Sequence, residues 1–150
     1  MKNKKGFTLI ELLVVIAIMA ILATVVFVAL DPVKRFADAR NSRRFTDVNS
    51  VLTAIHEYIV DNDGAMPAGI TTSEKQLGTC TAGGATACSG AQAACLDMTS
   101  TLAKYLKSIP LDPSGGTAAT TKYSVVADAN NIVTVKACAA ENSVAVEVSR

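Results

Sequence analysis

The sequence has no tryptophan, one histidine, and only three tyrosines and four phenylalanines in 150 residues. So few aromatics argue against a base-stacking surface for single-stranded nucleic acid. Neither sign of charge dominates: 14 basic and 13 acidic side chains leave a formal charge of +1. No global basic field is therefore present to hold a polyanion. Charged residues make up 18% of the chain and hydrophobic ones 50%, which excludes a disordered acidic or basic tail. The four cysteines, Cys80, Cys88, Cys95 and Cys138, contain no C-x2-C unit, so their spacing gives no zinc pattern. From these absences no metal and no cofactor is expected.

What is present is one long apolar block. Residues 7–30 hold a single charge, Glu11, and two hydroxyls, Thr8 and Thr24. As a helix this block reaches about 36 Å at roughly 1.5 Å per residue, enough for a bilayer core. An ordinary cytosolic globule is excluded. A cleavable secretory signal fits poorly, because the run is too long and the first A-x-A, Ala37-Asp38-Ala39, lies beyond Lys34 and Arg35. A plain single-span anchor fits the length but leaves Glu11 unexplained, since a carboxylate in the hydrocarbon is costly. Lys2, Lys4 and Lys5 precede the block, while Lys34, Arg35, Arg40, Arg43 and Arg44 come after it. The positive-inside rule therefore does not set the topology. All four cysteines lie downstream, which favours an oxidising compartment for the C-terminal part.

The order Lys4-Lys5-Gly6-Phe7-Thr8-Leu9-Ile10-Glu11, running on into Leu12-Leu13-Val14-Val15-Ile16-Ala17-Ile18, resembles the class III signal of type IV pilins and pseudopilins. The resemblance implies a basic leader cut between Gly6 and Phe7 by a membrane prepilin peptidase, which also methylates the new amine on Phe7. It implies that Glu11 forms a charge pair used in assembly. Many pilins carry a proline inside the apolar stretch; here none occurs before Pro32. Shorter segments, Tyr58 through Asn62-Asp63-Gly64 to Pro67 and Tyr105-Leu106 through Ile109-Pro110 to Asp112-Pro113, resemble the major pseudopilins of type II secretion. Calcium binding of the kind found in some of those proteins is not carried over, because Asp128, Asn130 and Asn131 are the only ligands the corresponding stretch offers.

Asp31-Pro32 suits a break and restart, with proline in the first turn of the next helix and aspartate capping it. Beyond it Val33, Phe36, Ala37, Phe45, Val48, Val51, Leu52, Ile55 and Ile59 recur at helical spacing. Asp63-Gly64 and Pro67 end that pattern. Residues 65–93, rich in Gly, Ala, Thr and Ser, read as a loop. Residues 94–107 read as a short helix ended by Pro110. Residues 122–127 and 132–138 read as strands around an Ala129-Asn130-Asn131 turn, and Val144, Val146 and Val148 as a third strand.

Catalytic chemistry finds little support. His56 is the only histidine and lies beside the apolar stripe, and no G-x-S-x-G is present. Asp61-Asn62-Asp63-Gly64 lacks the first ligand of a calcium loop and reads as a polar helix stop. Gly78 and Gly83 have phosphate-loop spacing, but Gly84 and Ala85 stand where Lys and Ser or Thr are required. The basic group Lys34, Arg35, Arg40, Arg43 and Arg44 reads as a solvated or headgroup-level collar, offset by Asp38 and Asp47.

The expected fold is α+β and pilin-like. A long N-terminal helix, half membrane-spanning and half amphipathic, packs against a small antiparallel C-terminal sheet. The expected divisions are a leader at 1–6, a transmembrane or filament-core helix at 7–30, an amphipathic helix at 31–63 and an exported head at 64–150. The expected function is a structural subunit of a type IV pilus or pseudopilus, with no enzymatic activity. Its partners would be prepilin peptidase, other copies and pilins in a helical filament, and an ATPase-driven inner-membrane platform. It would sit in the inner membrane as a single-pass protein before entering a periplasmic or surface filament. The alternative is a single-span anchor carrying an exported binding domain. Four cysteines allow three pairings; Cys80–Cys88 with Cys95–Cys138 is favoured, the first pinning a loop and the second tying the short helix to the sheet.

Overall fold

The computed structural model describes residues 6–150, so Lys2, Lys4 and Lys5 of the expected leader lie outside the described residues. The chain divides into two compact units, the second beginning at Ala37.

In the first unit, α1 spans Leu9–Leu30, and none of its side chains is buried. A helix this rich in valine and isoleucine gains little from intrinsic propensity in water. In lipid the same segment must satisfy its own backbone hydrogen bonds, and a helix does so. The helix stops at Asp31, which adopts a left-handed conformation with φ 39°. Asp31 also opens the next helix: its Oδ1 accepts from the Lys34 amide at 3.4 Å and its carbonyl from the Arg35 amide at 3.2 Å. Helix α2 then runs Pro32–Asp61, with proline in a first-turn position where no amide is needed.

In the second unit α2 turns a face of Ala37, Asn41, Arg44, Val48, Val51, Leu52, Ala54 and Ile55 inward. The expected stripe is thus corrected at its lower end. Phe45 is exposed there, while Asn41 and Arg44 take the inward positions; Val33 and Phe36, in the first unit, are exposed as well. The helix ends as the sequence indicates: Asp63 and Gly64 have positive φ, and the Gly64 amide donates to Ile59 O at 2.8 Å.

Beyond α2 the chain forms four antiparallel strands in the order β1 (Lys75–Gln76), β2 (Tyr123–Ala127), β3 (Val133–Ala137) and β4 (Glu147–Ser149). The β2–β3 turn falls where expected. Asn131 takes φ 63°, and Asp128 Oδ1 accepts from the amides of Asn130 and Ile132, both at 2.8 Å. Tyr123, Val125, Val133 and Val135 bury themselves with Val48, Val51, Leu52 and Ile55 of α2, and Leu77, Met98 and Leu102 close the cluster.

Three expectations give way to long-range pairing. Residues 65–93 are not all loop: they contain β1 and one helical turn, α3 (Gly84–Ala87). Residues 94–107 do not form the expected helix. Leu96 is drawn into a parallel bridge with Leu77, its amide donating to Gln76 O at 2.8 Å, and Thr99–Tyr105 continue as turns. The last strand is shorter than its alternating valines suggest, because Asn142 and Ser143 both adopt positive φ and close a turn from Glu141 to Val144.

The disulfide pairing is also corrected: Cys80 bonds Cys95 and Cys88 bonds Cys138. Segment 92–96 lies along 74–80, with Gln92 N donating to Glu74 O and Cys95 N to Cys80 O. Cys95 is thereby brought to a Cα distance of 5.0 Å from Cys80. Cys88, just past α3, comes within 4.9 Å of Cys138 after β3. The nearest cysteines in sequence are not the nearest in space.

Candidate processing and assembly site

The residues singled out at the N-terminus begin with Gly6. A Cβ built there meets nothing within 4 Å among the described residues, so their packing does not require glycine. Phe7 is next, 88% exposed. Thr8 is extended at φ −79° and caps α1. Its Oγ1 accepts from the Glu11 amide at 3.2 Å, while Glu11 Oε2 accepts from the Thr8 amide and the Thr8 hydroxyl, both at 2.8 Å. This is a reciprocal capping box, and it places the one carboxylate of α1 at the positive end of the helix dipole. Phe7, Ile10, Val14 and Val15 surround Glu11 in a shallow apolar hollow. The exposed charge is therefore held by the Thr8 amide and hydroxyl among apolar neighbours.

The apolar side chains of α1 all face outward, from Leu9 at 80% exposure to Val15 at 48%. By length and composition this helix could cross a membrane. Residues 1–27 match the family model described as a prokaryotic N-terminal methylation motif, the signature of type IV pilins and pseudopilins. The chain has a pilin-type N-terminus. No curated protein and no solved structure matches the chain. The motif and the single apolar helix fit a single-pass inner-membrane protein, and the motif implies a structural role.

In the second unit, the basic collar is corrected in part. Arg44 is fully buried and is no surface cation. Its Nε and Nη2 donate to the two Asp112 oxygens at 2.6 and 3.0 Å, Nη1 to Asn41 Oδ1 at 2.9 Å and to Glu141 Oε2 at 3.1 Å, and Nη2 also to Ser114 Oγ at 2.9 Å. Arg40 forks onto Glu141 at 2.7 and 2.9 Å. Asn41 reads the Glu141 backbone in both directions, donating to its carbonyl at 2.9 Å and accepting from its amide at 3.0 Å. Hydrogen bonds from Arg40 hold the Glu141 carboxyl below its usual range. The signal for this cluster lay in spacing: Ala37, Asn41, Arg44 and Val48 share the helical face that the apolar residues continue. Arg43 stays largely exposed, 3.9 Å from Asp47, and Asp47 accepts from the buried Tyr123 hydroxyl at 2.7 Å.

The remaining candidates are absorbed by structure. His56 is half-buried with Nδ1 against Leu52 O at 2.8 Å, a donation from the ring N–H to its own helix. Asp61 bonds Lys104 and the Tyr105 hydroxyl, tying the end of α2 to the 99–105 turns. Among the described residues no cluster of His, Cys, Asp and Glu could hold a metal ion. Gly83 precedes only the single turn α3, and Gly78 lies against the backbone of Ala118 and Ala119. The four cysteines are consumed in disulfides, with no free thiol among the described residues.

Proposed function

We propose that this chain is a structural subunit of a type IV pilus or secretion pseudopilus. Prepilin peptidase processes it between Gly6 and Phe7 and methylates the Phe7 amine, and it assembles through α1. The observation that carries this reading is the conjunction at one helix end: a Gly–Phe junction that the packing of the described residues does not demand, then a helix of 22 residues with no buried side chain that carries a hydrogen-bonded carboxylate in its first turn. Such a helix is at home in lipid, and burial against other copies replaces the lipid when the chain leaves the membrane. Apolar area removed from water contributes roughly 25 cal/mol per Å². While the helices remain in lipid that driving force is weak, so assembly draws on an ATPase-driven inner-membrane platform. The chain itself makes and breaks no bonds.

Mass spectrometry of membrane-extracted protein tests the reading. The expected species starts at N-methylated Phe7 and has lost three lysines, moving the formal side-chain charge from +1 to −2. A Met1 terminus in cells with active prepilin peptidase overturns it in favour of a plain anchor. Glu11 supplies a second test. Its carboxylate pairs with the freed amine of a neighbouring subunit, since opposite charges attract strongly at low dielectric. Glu11→Ala should leave cleavage intact and reduce incorporation into sheared filaments when co-expressed with wild type. Incorporation at wild-type efficiency would remove Glu11 from the assembly mechanism.

A further inference from the structure

The last strand of the head hangs on a strained hinge. Glu141, Asn142, Ser143 and Val144 form a four-residue turn in which Asn142 has φ 57° and Ser143 φ 56°, with the Val144 amide donating to Glu141 O at 3.2 Å. Two successive left-handed residues define the mirror-image hairpin turn, whose second central position is ordinarily glycine. Here it is serine, and a non-glycine residue held left-handed costs roughly 1 kcal/mol or more.

The two sides of the hinge are held unequally. Before it, Glu141 is fixed by Arg40, Asn41 and Arg44, and Cys138 by its bond to Cys88. After it, residues 144–150 hold the three-residue β4 at the open edge of the sheet, no cysteine, and one buried side chain, Val146, which precedes the strand, with Val148 of β4 half-buried. A firmly held root, a strained two-residue hinge and a short, lightly buried edge strand are the ingredients of segment exchange between identical chains.

We propose that residues 144–150 exchange between neighbouring copies of this chain, β4 of one copy pairing with β3 of the next. Opening the turn lets Asn142 and Ser143 relax to extended backbone. It gives the five residues from Asn142 to Val146 a reach of about 17 Å from the fixed Glu141. The exchanged strand makes the same contacts as the closed one: Val148 opposite Val135, the Val146 carbonyl accepting from Ala137, and Arg150 in a two-way pair with Val133. The occupant is a second copy because only that chain carries the matching register. The net gain is the released strain, which prevails over association entropy only where copies are held side by side. The proposal therefore rests on the filament reading for its effective concentration.

The register provides the test. Thr134 and Ser149 are directly opposed, with their hydroxyls 2.8 Å apart. They sit in the non-hydrogen-bonded pair next to Val133–Arg150, where side chains lie closest. Two tagged full-length chains, one Thr134→Cys and one Ser149→Cys, are co-expressed with wild-type assembly machinery, oxidised, and analysed separately in membrane and sheared-filament fractions. Exchange is expected to yield a Thr134→Cys/Ser149→Cys heterodimer in filaments well above either homodimer. Adding Ser143→Gly to both chains, which relieves the closed turn, should lower that yield several-fold. Filaments without the heterodimer, or a yield indifferent to Ser143→Gly, overturn the exchange and leave the filament reading intact. A heterodimer equally abundant in membranes of cells that lack the assembly machinery overturns the dependence of exchange on the filament.

Discussion

Arg44 illustrates how much a single side chain can be asked to do. A buried guanidinium is tolerable only with its charge and its donors matched, and Asp112, Glu141, Asn41 and Ser114 match them. Arg44→Met should destabilise the head by about 3–5 kcal/mol, because the Asp112 carboxylate stays behind without its partner. Urea unfolding of the disulfide-intact protein in detergent measures this. Two ionisable groups contribute to the pH dependence of stability. Glu141 is held below its ordinary value of 4.5, chiefly by Arg40 hydrogen bonds. Its contribution is thus present above about 4.5 and lost as pH falls through the lower folded value. Glu141→Gln should flatten that acid limb of the stability curve. Burial, with the Asp47 hydrogen bond, raises the Tyr123 phenol far above its ordinary value of 10.0. Its contribution is present below about pH 10 and lost as pH rises beyond it, and Tyr123→Phe should remove this alkaline limb. Spacing puts Arg44 on the buried face of α2, but its partners were not legible in sequence. Periodicity sorts residues by type, and Arg44 counted as solvent-facing until partners 68 and 97 positions away claimed it.

At the scale of elements, legibility depends on the range of the interactions that fix each one. The break at Asp31-Pro32, the stop at Asp63-Gly64 and the Asp128–Ile132 turn are local events, decided by caps and positive φ, and each falls where the residues indicate. Strand β1 and the 94–107 segment are decided from afar, by β2 and by the bridge of Leu96 to Leu77. Local pattern could not announce them. Helix α3 shows how tight that distant packing is. A Cβ on Gly84 would meet Gln92 O at 2.7 Å and Ala93 O at 3.0 Å. Backbone atoms cannot retreat as a side-chain tip can, so Gly84→Ala should lower head stability by about 1–3 kcal/mol, read as a fall in Tm.

On the scale of the whole molecule, the two units obey opposite rules. The second has a continuous core with two covalent cross-links; the first has no covered apolar side chain along α1. The sequence showed this division plainly, because one apolar block is enough to announce it. Compactness changes at Ala37, where α2 first turns a side chain inward. Residues 37–150, expressed alone in an oxidising compartment, should be soluble and monomeric by size-exclusion chromatography, and the full chain should require detergent.

The connectivity of the cysteines sets a timetable for oxidation. Along the chain the two bonds cross, since Cys88 lies inside the 80–95 loop and Cys138 outside it. A chain emerging N-terminus first presents Cys80 and Cys88 together before Cys95 arrives, so the earliest bond available is one the finished protein does not contain. Cys88 stays without its rightful partner until the β2–β3 hairpin has been delivered. Maturation should therefore require thiol–disulfide exchange, and a cell lacking a disulfide isomerase should accumulate the 80–88 isomer, visible as a band of altered mobility on a non-reducing gel.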